Sequence, residues 1–473
     1  MEHDAAVHAA PTLRCMDDLP GPRAWPLLGN LAQIKPLQAH RTMERWSREY
    51  GTMFRVRTPA TTILVLSDHA QIAQVLRERP GTFRRPSIAA EVAAEIGGIP
   101  GVFEAEGVQW RNQRKMVMAA FAPHAIKAYF PSLVTVLGRL QARWERAVAK
   151  DDALDLGAEL RLYTVDIIAG LAFGSDVNTI ETGDNAIQRN LDQILPGVAR
   201  RSFTPLPYWR YVKLPQDRRL ERAALAVRVQ VDELVVQARE RLRSDPARAA
   251  QPRNMLEAML VAAAQPDSGV TERDVSGNVL TMLLAGEDTT SNALAWLIYL
   301  LDKNPDALVK AREEVHRLAP DPAKLTIEQV DALDYLDACA QEAMRLKPPA
   351  PYIPLETLVD TVVGDVQVPK QTLVWCVMRH HSVDNAHFPD AQRFAPERWL
   401  HDGVNKKVAM PFGAGPRTCP GRYLALLEIK LAMAMLLARF QIVSVRTHTG
   451  AAPQEHMGYV MAPERLEMRL RRA

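Results

Sequence analysis

Phe412-Gly-Ala-Gly-Pro-Arg-Thr-Cys-Pro-Gly421 lies just ahead of an apolar segment, about 420–439, whose spacing predicts a helix. A cysteine in that position, Cys419, meets the backbone N–H groups and the positive end of the helix dipole, and both favour a thiolate. Glycines at 413, 415 and 421 let the backbone wrap closely around a sulfur ligand, and Arg417 offers a cation to an anionic group on the same ligand. Such a loop suits one metal bond from one cysteine. Zinc would call for further nitrogen or sulfur ligands nearby and an iron–sulfur cluster for further cysteines, so a metal already held by a macrocycle is the economical reading. A buried structural cysteine in a glycine-rich turn is the alternative that these ten residues leave open.

Outward from the loop, the chain has 473 residues, 47% hydrophobic and 24% charged, which excludes disorder, collagen and coiled coil as its main architecture. Lys plus Arg outnumber Asp plus Glu by 58 to 55, so the net charge of +3 gives no reason to expect nucleic acid. The four cysteines, Cys15, Cys339, Cys376 and Cys419, are widely scattered, which suits a reducing cytoplasm rather than a disulfide framework. Charges among the first eighteen residues leave no apolar stretch for a signal peptide or transmembrane anchor, and 1–18 reads as a polar tail before one catalytic unit, 19–473. Residues 19–30, LPGPRAWPLLGN, form a rigid lead-in. A hairpin is expected near 54–66, helices over 68–79, 107–120, 124–149, 155–173, 216–243, 271–302, 304–318 and 334–346, and short strands over 357–379 and 457–472. Residues 242–254 read as a surface loop, and 196–215 as a mobile cover over an entrance. The fold class is mainly α with a minor β region.

The loop, F-x-x-G-x-R-x-C-x-G, resembles the haem-binding signature of the cytochromes P450. The resemblance implies the P450 fold, with a long central helix over haem b (iron protoporphyrin IX). It assigns Cys419 as the axial thiolate ligand of the iron, Arg417 to a haem propionate and Phe412 to packing near the sulfur. Other family landmarks follow in the right order. Glu342-Ala-Met-Arg345 matches E-x-x-R, whose i, i+3 spacing puts both charges on one helix face, and Pro396-Glu-Arg-Trp399 supplies Arg398 to the same network. Trp110 and Arg114 share a helix face from which both can donate to a propionate, and Arg84 in Phe83-Arg-Arg-Pro86 is assigned to the second propionate. Where many relatives have His-Arg-Asp this chain has Ser382-Val383-Asp384, with His380 or His381 as substitutes.

Within the long helix lies Ala285-Gly286-Glu287-Asp288-Thr289-Thr290. Ala285 and Gly286 leave space for a flat cofactor and oxygen, and the resemblance makes Asp288 and Thr289 the acid–alcohol pair that delivers protons during O–O cleavage. The implied activity is a monooxygenase that inserts one atom of O2 into a hydrophobic small molecule. A peroxide-using or rearranging enzyme and a non-catalytic haem sensor or carrier are the alternatives. The substrate pocket is expected around 88–102, Met282, Ala285 and 350–355. The chain ends about fifty residues after Cys419, so electrons are expected from a separate ferredoxin or flavodoxin with its reductase, docked on Arg111, Lys115, Lys406, Lys407 and Arg422.

Overall fold

The computed structural model describes residues 13–473 except 175, 184, 185 and 205, so most of the polar tail expected over 1–18 lies outside the described residues. From residue 14 onward the chain is tied to the body: Arg14 pairs with Asp365 at 2.7 Å and Arg55 reaches Asp17 at 2.7 Å.

A five-stranded sheet joins the two ends of the sequence. Its strands are β1 (Met53–Arg57), β2 (Thr62–Leu66), β3 (Phe83–Arg84), β4 (Tyr352–Thr357) and β5 (Leu373–Val377), in the order β1-β2-β5-β4-β3. β2 lies parallel to β5, from Ile63 against Leu373 to Leu66 against Cys376, and the other pairings are antiparallel. Four successive residues of β2 are buried because the sheet is covered on both faces. Ile63 and Val65 pack with Met43 and Trp46; Leu64 and Leu66 pack with Ile72, Val75 and Leu76 of helix α1 (His69–Arg77). Asp68 caps α1, its Oδ1 accepting the Gln71 amide at 2.9 Å. The sheet thus fixes α1, and α1 in turn fixes the cysteine loop. At Gly415, with φ +70°, a Cβ would fall 2.5 Å from the Leu76 carbonyl oxygen, so only glycine permits this approach.

The larger core is helical. The helices used below are α2 (Gly107–Ala120), α3 (Leu156–Phe173), α4 (Glu272–Asp302), α5 (Asp334–Leu346) and α6 (Arg422–Arg439). α4 has 31 residues, about 46 Å at 1.5 Å per residue. It starts in a capping box: Thr271 Oγ1 accepts the Asp274 amide at 3.2 Å, and Asp274 Oδ2 accepts the Thr271 amide at 2.8 Å. α4 packs closely on α3. A Cβ at Gly286 would meet Ile168 Cδ1 at 2.9 Å.

The expected helices all recur within two residues, and 107–120 and 334–346 recur at the same bounds. Two stretches expected without regular structure contain helix. Within 196–215, the first part belongs to a helix, Ala186–Phe203, that runs through Pro196 because Leu191 and Ile194 bury its inner face; Trp209 beyond it is buried, its indole donating to Glu95 at 2.6 Å. Within 242–254, the preceding helix continues to Ser244, and Asp245 then caps a five-residue helix, Pro246–Ala250. Among the described residues no helix is long and apolar enough to cross a membrane.

Candidate functional site

Cys419 stands two residues ahead of Gly421, the N-cap of α6. Its own amide donates to the Phe412 carbonyl at 3.0 Å, closing the loop on itself. The sulfur is accessible, yet burial is the largest influence on it and pushes the thiol pKa up, against the Gly421 amide and the charges of Arg114 and Arg422. Tyr459 behaves the same way, 45% exposed but with its phenol pushed up to about 12 by burial. Ala285 is exposed in the middle of α4, between partly buried Leu284 and Gly286.

Around Arg417, two residues from the cysteine, four guanidinium groups converge. Arg417 lies over the Trp110 ring at 4.8 Å and donates to the Ala105 carbonyl at 2.6 Å and to Glu106. Arg114, one turn along α2 from Trp110, donates to the Thr418 carbonyl at 2.7 Å. Arg85 stacks on Phe103 with 3.2 Å to the ring centre. Arg79 is buried with Nε and one terminal nitrogen unpartnered, and Arg417 Nε is unpartnered too. Burial, reinforced by Arg85 and Arg417, lowers Arg79 to about 9; burial likewise lowers Arg417 to about 10. Glu104 and Glu106 are the carboxylates of this cluster, and burial raises both. Four guanidinium groups against two carboxylates leave an excess of two positive charges, with orphaned donors to match. Buried polar groups are normally satisfied, so the cluster fits a ligand carrying two carboxylates, as a haem does through its propionates.

Arg84 is engaged elsewhere: it pairs with Glu356 at 2.7 Å across β3 and β4, although its Nε is buried without a partner. Phe412 is half-buried in the loop, with the Arg422 guanidinium 5.6 Å from its ring centre. Arg79, Arg85, Glu104 and Glu106 were missed in the sequence. Four arginines between 77 and 85 were the only hint.

On α4, Thr289 Oγ1 donates back to the Ala285 carbonyl at 2.7 Å, one turn earlier. Asp288 is partly exposed, 3.7 Å from Arg161, and its pKa is raised, chiefly by burial. Gly286 faces Ile168 of α3, so the room it provides is for helix packing. Away from the sulfur, Glu342 and Arg345 on α5 form a bidentate pair at 2.8 Å, both fully buried. Arg398 at 3.0 Å, the Trp399 indole at 2.8 Å and the Ala395 amide at 3.0 Å complete the acceptor set of Glu342. The two motifs read as one network do meet.

A mainly helical fold, an exposed cysteine in a glycine loop and an excess of guanidinium groups near it form the arrangement that the cytochrome P450 resemblance leads one to expect. The cytochrome P450 family model matches residues 19–470, and the chain belongs to the cytochrome P450 family. It is 28% identical over 91% of its length to a bifunctional cytochrome P450/NADPH–P450 reductase of Bacillus cereus, covering 40% of that protein. It is likewise 28% identical to the cyclooctat-9-en-7-ol 5-monooxygenase of Streptomyces melanosporofaciens, with 92% of each chain covered. To the chloroplastic carotene epsilon-monooxygenase of Arabidopsis thaliana it is 29% identical, over 86% of this chain and 77% of that one. The chain spans about two fifths of the length of the bifunctional and self-sufficient relatives it matches.

Proposed function

We propose that the protein is a haem-thiolate monooxygenase that inserts one atom of O2 into a hydrophobic small molecule by hydroxylation or epoxidation. The observation that carries this is the pairing of an accessible Cys419 sulfur with unpartnered, buried guanidinium donors at Arg79 and Arg417. Cys419 would hold the iron, and Arg417, Arg114 and Arg79 the propionates, with Trp110 packed beneath Arg417. Haem bound through a thiolate supplies oxygen activation, the sulfur pushing electron density toward O–O cleavage.

The residues of α4 would handle protons. Asp288, its pKa raised by burial and partly open to solvent, takes up a proton more readily than an ordinary carboxylate. Thr289 Oγ1 would pass it inward, its back-bond to Ala285 keeping the hydroxyl oriented. Ala285 leaves room beside that hydroxyl. Monooxygenases among the relatives, two of them named for cyclooctat-9-en-7-ol and carotene, support a substrate rich in hydrocarbon.

Electrons would come from a ferredoxin or flavodoxin with its reductase. Arg111, Lys115, Lys407 and Arg422 are exposed, and among the described residues none of them, nor Lys406, forms an ion pair, which leaves them free for an acidic partner. The test is product formation that requires both O2 and reduced ferredoxin. Thr289→Ala should keep haem and electron uptake while diverting electrons to peroxide; unchanged coupling of electrons to product would remove Thr289 from the mechanism.

A further inference from the structure

Four of the chain's 12 histidines meet at the N-terminal end of α1, away from the cysteine loop. His69 opens α1, His381 follows β5 by four residues, and His387 lies in the next turn. Their rings are mutually packed, with centroids 5.2 Å apart for His69 and His381, 4.8 Å for His69 and His387, and 4.6 Å for His381 and His387. One ring nitrogen from each can be chosen so that all three lie within 4.8 Å of one another. Leu76, where the cysteine loop docks, lies seven residues along α1, about 10 Å away. The cluster is therefore separate from the haem-binding loop.

Its hydrogen bonding is over-subscribed. A neutral imidazole nitrogen has one lone pair, yet the His69 amide at 3.2 Å and His69 Nδ1 at 2.9 Å both approach His381 Nδ1. If His69 Nδ1 carries the proton, two donors compete for one acceptor; if His381 Nδ1 carries it, the His69 amide N–H faces another donor; if neither does, two lone pairs face each other. Asp68 adds a carboxylate. Its Oδ1 is used in capping α1, whereas Oδ2 turns toward the imidazoles, 3.9 Å from His381 Nδ1. Beside them His380 packs on His381 with its own Nδ1 buried and unpartnered.

We propose that His69, His381, His387 and Asp68 form a second metal site, for a divalent transition metal of the Zn2+ type. Three imidazoles and one carboxylate are donors that suit Zn2+ over Mg2+ or Ca2+. Tetrahedral ligation at about 2.0–2.1 Å sets neighbouring donor atoms about 3.3 Å apart, between the 2.9 Å and 4.8 Å seen here. Small side-chain rotations would close the set, each imidazole presenting one ring lone pair to the cation. Bound there, the metal joins α1 to the segment whose Ser382 carbonyl accepts from Arg345, a link across 312 residues of sequence. It would act as a staple.

The test uses the holoprotein without a polyhistidine tag, stripped with a chelator, returned to buffer and titrated with Zn2+. One equivalent should remain bound after gel filtration, and the melting temperature should rise by several degrees. Zinc K-edge X-ray absorption should show nitrogen and oxygen neighbours only. His69→Gln and His387→Gln, which keep the haem spectrum because they lie outside the haem loop, should each weaken Zn2+ binding at least tenfold and abolish the melting shift. No stoichiometric uptake by the wild type, a sulfur shell in the absorption spectrum, or unchanged binding in both variants would overturn the proposal.

Discussion

Two charged networks in this molecule are built from the same side chains and behave oppositely. Around Glu342, every cation has an acceptor: Arg345, Arg398 and the Trp399 indole share one carboxylate, and Arg345 also donates to the Ala391 carbonyl at 2.8 Å. Around Arg417 the charges do not balance, and nitrogens of Arg79 and Arg417 are buried without partners. A closed network holds segments together. An open one costs stability until something arrives to close it, and that asymmetry separates scaffold from binding site more sharply than burial does.

Breaking the closed network should have the larger effect. Glu342→Ala leaves Arg345 and Arg398 buried without their counter-ion, and a loss of about 3–5 kcal/mol is expected, read by chemical denaturation and by failure to accumulate folded protein at 37 °C. A variant as stable as the parent would mean that the carboxylate is dispensable.

In the open network the sign reverses with the ligand. Arg79→Met should stabilise the haem-free chain by about 1–3 kcal/mol, because an unsatisfied buried cation is removed. The same change should weaken haem retention by roughly 10- to 100-fold, measured as hemin transfer to an acceptor protein. Equal effects on both forms would place Arg79 with the scaffold.

Glu428 of α6 offers a third contrast, a buried acid with no ion pair among the described residues. Burial raises it to about 8. Above its unfolded value the folded state keeps a proton that the unfolded chain releases, so stability falls as pH rises from about 4.5 toward 8. Glu428→Gln should match the wild type near pH 5 and exceed it at pH 8 by on the order of 2–4 kcal/mol; parallel pH profiles would show that Glu428 is charged in the folded protein.

The smallest effect concerns the exposed cations. Lys407→Glu with Arg111→Glu should slow reduction by ferredoxin several-fold at low salt and leave folding unchanged, the difference fading as ionic strength rises. Rates unaffected by both salt and charge reversal would remove this face as the docking surface.

What could be read in the sequence was local. The cysteine loop, E-x-x-R, PERW and the capping box at Thr271 each fit within a dozen residues, and helix bounds followed from apolar spacing. The unread parts depend on distant residues meeting. β4 was obscured by Pro354 inside it, tolerated because β3 pairs only with Glu356 and Thr357 and leaves Pro354 without a partner on that side. The helix Ala186–Phe203 was hidden by Pro196. Arg79 and Glu106 look like ordinary surface charges until the loop at 417 is folded between them, and His69 gains its neighbours from residues 381 and 387. Gly286 was legible as small, but the partner it accommodates, Ile168, was not.

The most direct measurement is the optical spectrum of the reduced, carbon monoxide-treated holoprotein beside its Cys419→Ala variant. The wild type should show the red-shifted Soret band of thiolate-ligated haem and the variant should lack it. A variant that keeps that band, or a folded wild type that stays colourless after hemin is supplied, would contradict the assignment of Cys419 as the ligand.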